Sequence, residues 1–293
     1  MQAFPPSELI LNERGAIYHL NLKPEELAST IITVGDPARV REVSKHFDSI
    51  EFELQHREFI THTGTIGSKR ISVISTGIGT PNIDIVLNEL DAVVNIDFST
   101  RTIKEQLTSL NIIRIGTSGS IQEEIGLDSY VASTHAIGID NLMNFYVSEN
   151  NEEEKQILQG FINHTGIQNN IGYPYISSAS MKLIKHFVKS FHQGITVTCP
   201  GFYGPQGRKS RLVNSHPHLL DRMRSFRFGN HQIANLEMET SALYGLSKTL
   251  HHNCVSLSAI VAHRTKNQFH ENSHKAIERL IKNTLEIIST TDL

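Results

Sequence analysis

Apolar residues along the chain fall into two alternating kinds of segment. Short runs rich in Ile and Val stop at glycine turns, and longer stretches keep their apolar residues on one helical face. The first clear run covers residues 31–34, reads as a strand, and stops at Gly35-Asp36-Pro37-Ala38-Arg39. Asp36 suits an N-cap and Pro37 a first helical position, so a helix is expected at once. A second unit repeats the plan with a strand over 70–75, the turn Thr76-Gly77-Ile78-Gly79-Thr80, and a helix from Pro81. Ile83, Val86, Leu87, Leu90, Val93 and Val94 give that helix one apolar stripe. A third strand, over 112–115, is predicted to end in Gly116-Thr117-Ser118-Gly119. Further on, a helix is expected over 181–192, closed by Gly194, with strands over 195–199, 233–236 and 255–262. The last helix, over 273–289, lines up Ile277, Leu280, Ile281, Leu285 and Ile288. Strands alternating with helices predict an α/β fold that binds ligands at its strand ends. The charged stretch 149–155 reads as a solvated loop or a helix start. No segment reads as a linker, so residues 1–293 are expected to form a single domain.

Charge narrows the function. The formal net charge is −3, which argues against a general nucleic-acid binder, because that affinity rests on a basic field. A small anionic substrate needs only a few local cations and stays open. No apolar run approaches the roughly 18 residues of a membrane span. The N-terminus lacks the basic and apolar regions of a secretory signal, so a cytoplasmic protein is expected. The two cysteines, Cys199 and Cys254, cannot make a C-x-x-C site. The 16 histidines lack metal-ligand spacing, so no metal is predicted. No Gly-x-Ser-x-Gly elbow anchors a hydrolase triad.

Several segments carry candidate chemistry. Gly77-Ile78-Gly79-Thr80-Pro81-Asn82 departs from the dinucleotide fingerprint at Asn82, and no P-loop occurs. Arg39, in the first turn of a predicted helix, sits where free N–H groups already favour an anion. Arg57 and Arg114 also adjoin turns, and Arg114 interrupts an apolar strand. A buried arginine is costly unless paired, so Arg114 needs a carboxylate or a bound anion. Gly116 and Thr117 follow it with backbone N–H and hydroxyl donors. Glu237-Met238-Glu239 ends one strand and opens a helix, where a carboxylate can hold a vicinal diol or simply favour the helix start. Phe202-Tyr203-Gly204-Pro205-Gln206-Gly207-Arg208 sets an aromatic, an amide and a guanidinium on one loop. Gln206 can donate and accept, which suits a planar imide edge; an ordinary surface loop is the competing reading.

In order, these segments resemble the nucleoside phosphorylase family with the purine/uridine phosphorylase fold. The matching stretches include Ile17-Tyr18-His19-Leu20, Val34-Gly35-Asp36-Pro37-Ala38-Arg39, His56-Arg57-Glu58-Phe59, Ser75-Thr76-Gly77-Ile78-Gly79, Arg114-Ile115-Gly116-Thr117-Ser118-Gly119, Phe202-Tyr203 with Gln206-Gly207-Arg208, Glu237-Met238-Glu239 and His263-Arg264-Thr265. The resemblance implies a central mixed, partly barrel-like β-sheet flanked by helices. It implies an enzyme, a pentosyltransferase that splits a nucleoside reversibly with phosphate into free base and ribose 1-phosphate. Inorganic phosphate is then a substrate, and no metal or organic cofactor is implied.

The resemblance also assigns roles. Gly35, Arg39, Arg114 and Thr117 are implied to bind phosphate, with Arg57 reaching in from a neighbouring subunit. Glu239 and Met238 are implied to hold the ribose, and the neighbour's His19 the 5′-hydroxyl. Phe202, Gln206, Arg208 and Arg264 are implied to form the base site. Purine-directed members place an Asp after a Ser to protonate the ring; here Ala262-His263-Arg264-Thr265 puts Arg264 in that position. This points to uridine rather than inosine or adenosine. Sites shared between subunits imply a homo-oligomer, either a dimer or a hexamer. Residues 91–109 form an insertion relative to compact bacterial members, which favours the dimer. Asn82 replaces a Ser that helps bind a monovalent cation in some bacterial members, so no such ion is expected. A purine phosphorylase, a nucleosidase using water, and a non-catalytic nucleoside binder remain the alternatives.

Overall fold

The computed structural model of the protein describes residues 3–167 and 171–293. The N-terminal part runs β1 (Thr30–Val34), α1 (Ala38–Ser44), β2 (Ser49–His56), β3 (Phe59–Ile66), β4 (Lys69–Ser75) and α2 (Thr80–Asn95). A small hairpin, β5 (Ile96–Asp97) and β6 (Thr102–Ile103), then leads to the long strands β7 (Asn111–Ser120) and β8 (Tyr130–Gly138). After α3 (Glu152–Thr165) come β9 (Tyr175–Ser178), α4 (Met181–Ile184), β10 (His192–Thr198), α5 (Leu219–Ser225), β11 (Arg227–Phe228) and β12 (His231–Glu237). The chain ends with α6 (Thr240–Thr249), β13 (Asn253–His263), β14 (Gln268–Phe269) and α7 (Ser273–Thr290).

One mixed sheet dominates, in the order β11-β12-β10-β8-β13-β7-β1-β4-β3-β2. Its middle closes on itself. Strand β12 also pairs antiparallel with the far end of β7, through Asn235 opposite Ser120 and Leu236 opposite Gly119. Strands β7, β13, β8, β10 and β12 thus form a small barrel, and β1 to β4 extend from it as an open wing. The central strands β1, β4, β7 and β13 run parallel, so Gly35, Gly77 and the end of β7 come out on one edge. That is the edge where an α/β sheet binds ligands. The expected α/β fold with a partly barrel-like sheet is the one observed. Helix α6 is buried from Thr240 to Ser247 and packs against α2 and the barrel, which fixes the Glu237–Thr240 corner at its N-terminus.

Two local expectations change, and of the two readings of the charged stretch one is observed. The third strand does not stop at residue 115: β7 continues through Gly116-Thr117-Ser118-Gly119 because β13 pairs with it along that whole length. Helix 181–192 is only one α-helical turn, and Gly194 lies inside β10 rather than closing a helix. A Cβ at residue 194 would come 2.7 Å from the Ala234 side chain, so the glycine permits close packing of β10 on β12. The charged stretch at 149–155 opens α3. Asn151 caps it by accepting from the Glu154 N–H at 2.8 Å, while the Glu154 carboxylate accepts from the Asn151 N–H. Glu154 is fully buried and pairs with Lys248 at 2.6 Å.

Candidate active site

A cavity of about 550 Å³ opens at the strand-end edge. The turn after β1 brings Gly35 and Arg39, the middle of β7 brings Arg114 and Thr117, and the corner between β12 and α6 brings Met238 and Glu239. Phe202, Gln206 and Arg208 come from the loop after β10. Nine of the twelve residues singled out in the sequence therefore line one cavity.

Arg114 is the centre of the charged end. Its Nη2 donates to Glu239 Oε2 and lies 3.4 Å from Glu237 Oε2. Its Nη1 is buried with no hydrogen-bond partner among the described residues. The guanidinium folds back over Gly116, where a Cβ would lie 1.7 Å from Nη1. Glycine is required there because the guanidinium already fills the space of a side chain. Burial alone would make Arg114 less basic, but Glu239 and Glu237 outweigh it and hold its pKa above the ordinary arginine value. An orphaned charged donor in a polar cavity is costly to the free protein and is relieved by an incoming anion.

Glu239 is 6% exposed, and its other oxygen accepts from the Gly79 N–H at 2.7 Å. Burial, with the adjacent Glu237 charge adding to it, raises the Glu239 pKa against the pull of Arg114. Arg39 lies at the second position of α1, whose first N–H groups are partly satisfied by Asp36; the Asp36 carboxylate accepts from the Ala38 N–H at 2.9 Å. Burial lowers the Arg39 pKa, and Asp36 opposes the shift.

The opposite end is built from the loop. The loop runs over the surface from Phe202 to Pro205, but Gln206 is 3% exposed and turns inward. Arg208 Nη1 donates to Gln206 Oε1 at 2.5 Å, and its guanidinium stacks 3.5 Å from the centre of the Phe202 ring. Burial, followed by repulsion from Arg264, lowers the Arg208 pKa to about 10. Arg264 stands behind this wall and donates to the Gln206 carbonyl at 3.0 Å. Its stem lies 3.2 Å from the Cβ position of Gly119, so it supports the cavity without lining it.

His19 and Arg57 lie elsewhere. His19 Nδ1 pairs with Glu89 at 2.6 Å, and the same carboxylate accepts from the His19 and Leu20 N–H groups. Arg57 has a left-handed backbone, φ +53°, and its guanidinium sits 5.9 Å from the Tyr18 ring centre. The two residues share a neighbourhood through Tyr18 and His56, but neither reaches the cavity of its own chain.

Sequence reasoning missed Glu237 as a charged partner of Arg114, though it quoted the segment. It also missed the apolar wall of Leu236, Val261, Ala262 and Phe269. Phe269 belongs to β14, a two-residue strand in a polar stretch with no periodic signal.

The chain belongs to the Phosphorylase superfamily, whose profile matches residues 29–289. It is 27% identical to the uridine phosphorylase of Thermococcus kodakarensis over a 301-residue alignment covering 100% of this chain and 94% of the relative. It is 36% identical to a DeoD-type purine nucleoside phosphorylase of Alkaliphilus metalliredigens, over 42% of this chain and 48% of the relative. Among solved structures it is similar to a Trypanosoma brucei nucleoside phosphorylase described as showing uridine phosphorylase activity. That similarity has a TM-score of 0.90 and 29% identity, and it covers 97% of this chain and all of the other.

Proposed function

We propose that the protein is a uridine phosphorylase, catalysing the reversible phosphorolysis of uridine to uracil and ribose 1-phosphate. The observation that carries the reading is the polarity of the cavity. Arg114, with a buried unpartnered Nη1, sits beside the diol-accepting Glu239 at one end, and Gln206 with Arg208 stands at the other. The full-length uridine phosphorylase relatives support it.

In this reading Gly35, Arg39, Arg114 and Thr117 hold phosphate, and Glu239 accepts hydrogen bonds from the ribose 2′- and 3′-hydroxyls over Met238. Breaking the N-glycosidic bond leaves an oxocarbenium-like sugar and a base that takes up negative charge, as in related glycoside chemistry. Phosphate attacks C1′ and stabilises the developing cation. Gln206 donates to one uracil oxygen through Nε2 and Arg208 to the other, an oxyanion-hole type of stabilisation that Arg264 buttresses. Arginine holds its proton too tightly to protonate a purine ring, so uridine is preferred over inosine. Phosphate is a substrate, and the reaction uses no metal or organic cofactor.

His19 and Arg57 complete the cavity of a second copy, so the working unit is a homodimer. The residues around β5 and β6 disfavour a hexamer. The reaction belongs to cytoplasmic pyrimidine salvage. The test is base release from uridine and inosine with and without phosphate. Uracil release that requires phosphate, with inosine turned over far more slowly, is expected. Equal turnover of inosine, or release that ignores phosphate, overturns the reading.

A further inference from the structure

The charged end of the cavity contains one cation and two carboxylates that differ in how they are held. Glu237 is saturated by its own chain. Its Oε1 accepts from Thr198 Oγ1 at 2.7 Å, and its Oε2 accepts from the Glu239 N–H, the Thr240 N–H and Thr240 Oγ1 at 2.8–2.9 Å. Thr198 is itself fixed, because its hydroxyl oxygen accepts from the Ser241 N–H at 2.9 Å. These four bonds, three of them on Oε2, and a side chain only 2% exposed leave Glu237 little opening for a substrate hydroxyl. Glu239 is different. It accepts only from Gly79 and Arg114 among the described residues, which leaves two sites for a diol. A hydroxyl arriving on Glu239 Oε2 competes with Arg114 for the same oxygen.

We propose that Glu237 is a positioning residue: a fixed counter-ion that keeps the Arg114 guanidinium aimed at phosphate when Glu239 takes up the ribose diol. The inference rests on the phosphate and ribose roles proposed above. Arg114 divides its attraction between an exchangeable carboxylate and an immobile one 3.4 Å away, on the corner clamped by α6. Without the second carboxylate, sharing Glu239 with substrate would release the guanidinium over Gly116.

The sign of the effect separates this role from plain electrostatics. Glu237 is an anion next to an anion site, so on Coulomb grounds its neutralisation strengthens phosphate binding. A positioning role predicts the reverse at saturating uridine. Glu237→Gln keeps the shape and an oxygen acceptor for the Thr240 N–H. Binding of inorganic phosphate alone, measured by titration calorimetry while Glu239 still holds Arg114, is expected to change by less than about threefold or to tighten, whereas phosphate KM at saturating uridine is expected to rise at least about tenfold. Uridine KM is expected to stay within about threefold, since uniform loss of folded protein moves no KM. Thr198→Val, which frees Glu237 Oε1 without touching its charge, is expected to shift phosphate KM in the same direction by less, and it serves if Glu237→Gln does not fold. A phosphate KM at saturating uridine that stays unchanged or falls, or a fall in kcat with both KM values unchanged, overturns the proposal. Wild-type protein that binds no phosphate overturns the phosphate reading itself, and this inference with it.

Discussion

Arg114 and Gly116 share one space: the guanidinium of the first lies where the Cβ of any other residue at the second would be, 1.7 Å from Nη1. The strand therefore presents its cation to the cavity only because a side chain is missing two positions later. Gly116→Ala is expected to push the guanidinium off its position while β7 keeps its pairing with β13. Loss of one oriented charge-assisted contact in a dry site costs about 2.7–4 kcal/mol of transition-state stabilisation, or roughly 10²–10³ in kcat/KM for phosphate. Steady-state kinetics alongside far-ultraviolet circular dichroism checks it; an active Gly116→Ala enzyme would show that Arg114 is not held as described.

The base end makes a separate prediction. Gln206 accepts from Arg208, and Arg208 stacks on Phe202, so the three act as one unit. Gln206→Ala is expected to lower kcat/KM for uridine by about 10² or more, because a site built for hydrogen bonding leaves its polar groups unpaired. Phosphate KM is expected to change little. Comparing kcat/KM for uridine and inosine in wild type and variant is the measurement, and the uridine preference should shrink in the variant.

Assembly is tested by complementation. Neither His19 nor Arg57 reaches the cavity of its own chain. Arg57→Ala and Arg114→Ala proteins, each inactive, are expected to regain activity when mixed and allowed to exchange subunits. A hybrid dimer then holds one site with both arginines. No recovery, with exchange confirmed by mass spectrometry, would place Arg57 outside the partner's site.

The pair of buried Glu154 and exposed Lys248 gives a pH prediction. Burial works against ionising Glu154, but Lys248 and the N–H groups of Asn151 and Ser178 outweigh it and hold the carboxyl below its usual range. A carboxyl depressed in the folded state contributes stability above its ordinary pKa of about 4.3 and loses that contribution as pH falls through the folded value. Lys248 is partly exposed, which screens the pair, so Lys248→Met is expected to cost about 1–2 kcal/mol at pH 7. Urea unfolding at pH 7 and near pH 3 checks the sign, since the gap between wild type and variant should close in acid.

Much of this was legible in the sequence where pattern and packing agree. The apolar runs of β1 and β4 and the stripe of α2 were visible because each buries one continuous face. The far half of β7 was not. Gly-Thr-Ser-Gly has the composition of a turn, and only pairing with β13 makes it a strand, a tertiary effect that overrides local preference. Gly194 failed for the same reason, since its closeness to Ala234 is a relation between strands far apart in the chain. Arg114 was legible as a cation in need of a partner. Glu237 was not legible as that partner's twin, because adjacent carboxylates in a sequence do not reveal which is saturated by backbone donors. Phe269 carried no signal at all, being set against the cavity by the short β13–β14 pairing.

The central claim is that phosphate, not water, accepts the ribosyl group. Following wild-type protein with uridine and inorganic phosphate by phosphorus nuclear magnetic resonance tests it directly. A new ribose 1-phosphate resonance is expected to grow in step with uracil, and the reaction to reverse when both products are supplied. Uracil appearing with free ribose, and the inorganic phosphate signal undiminished, would contradict it.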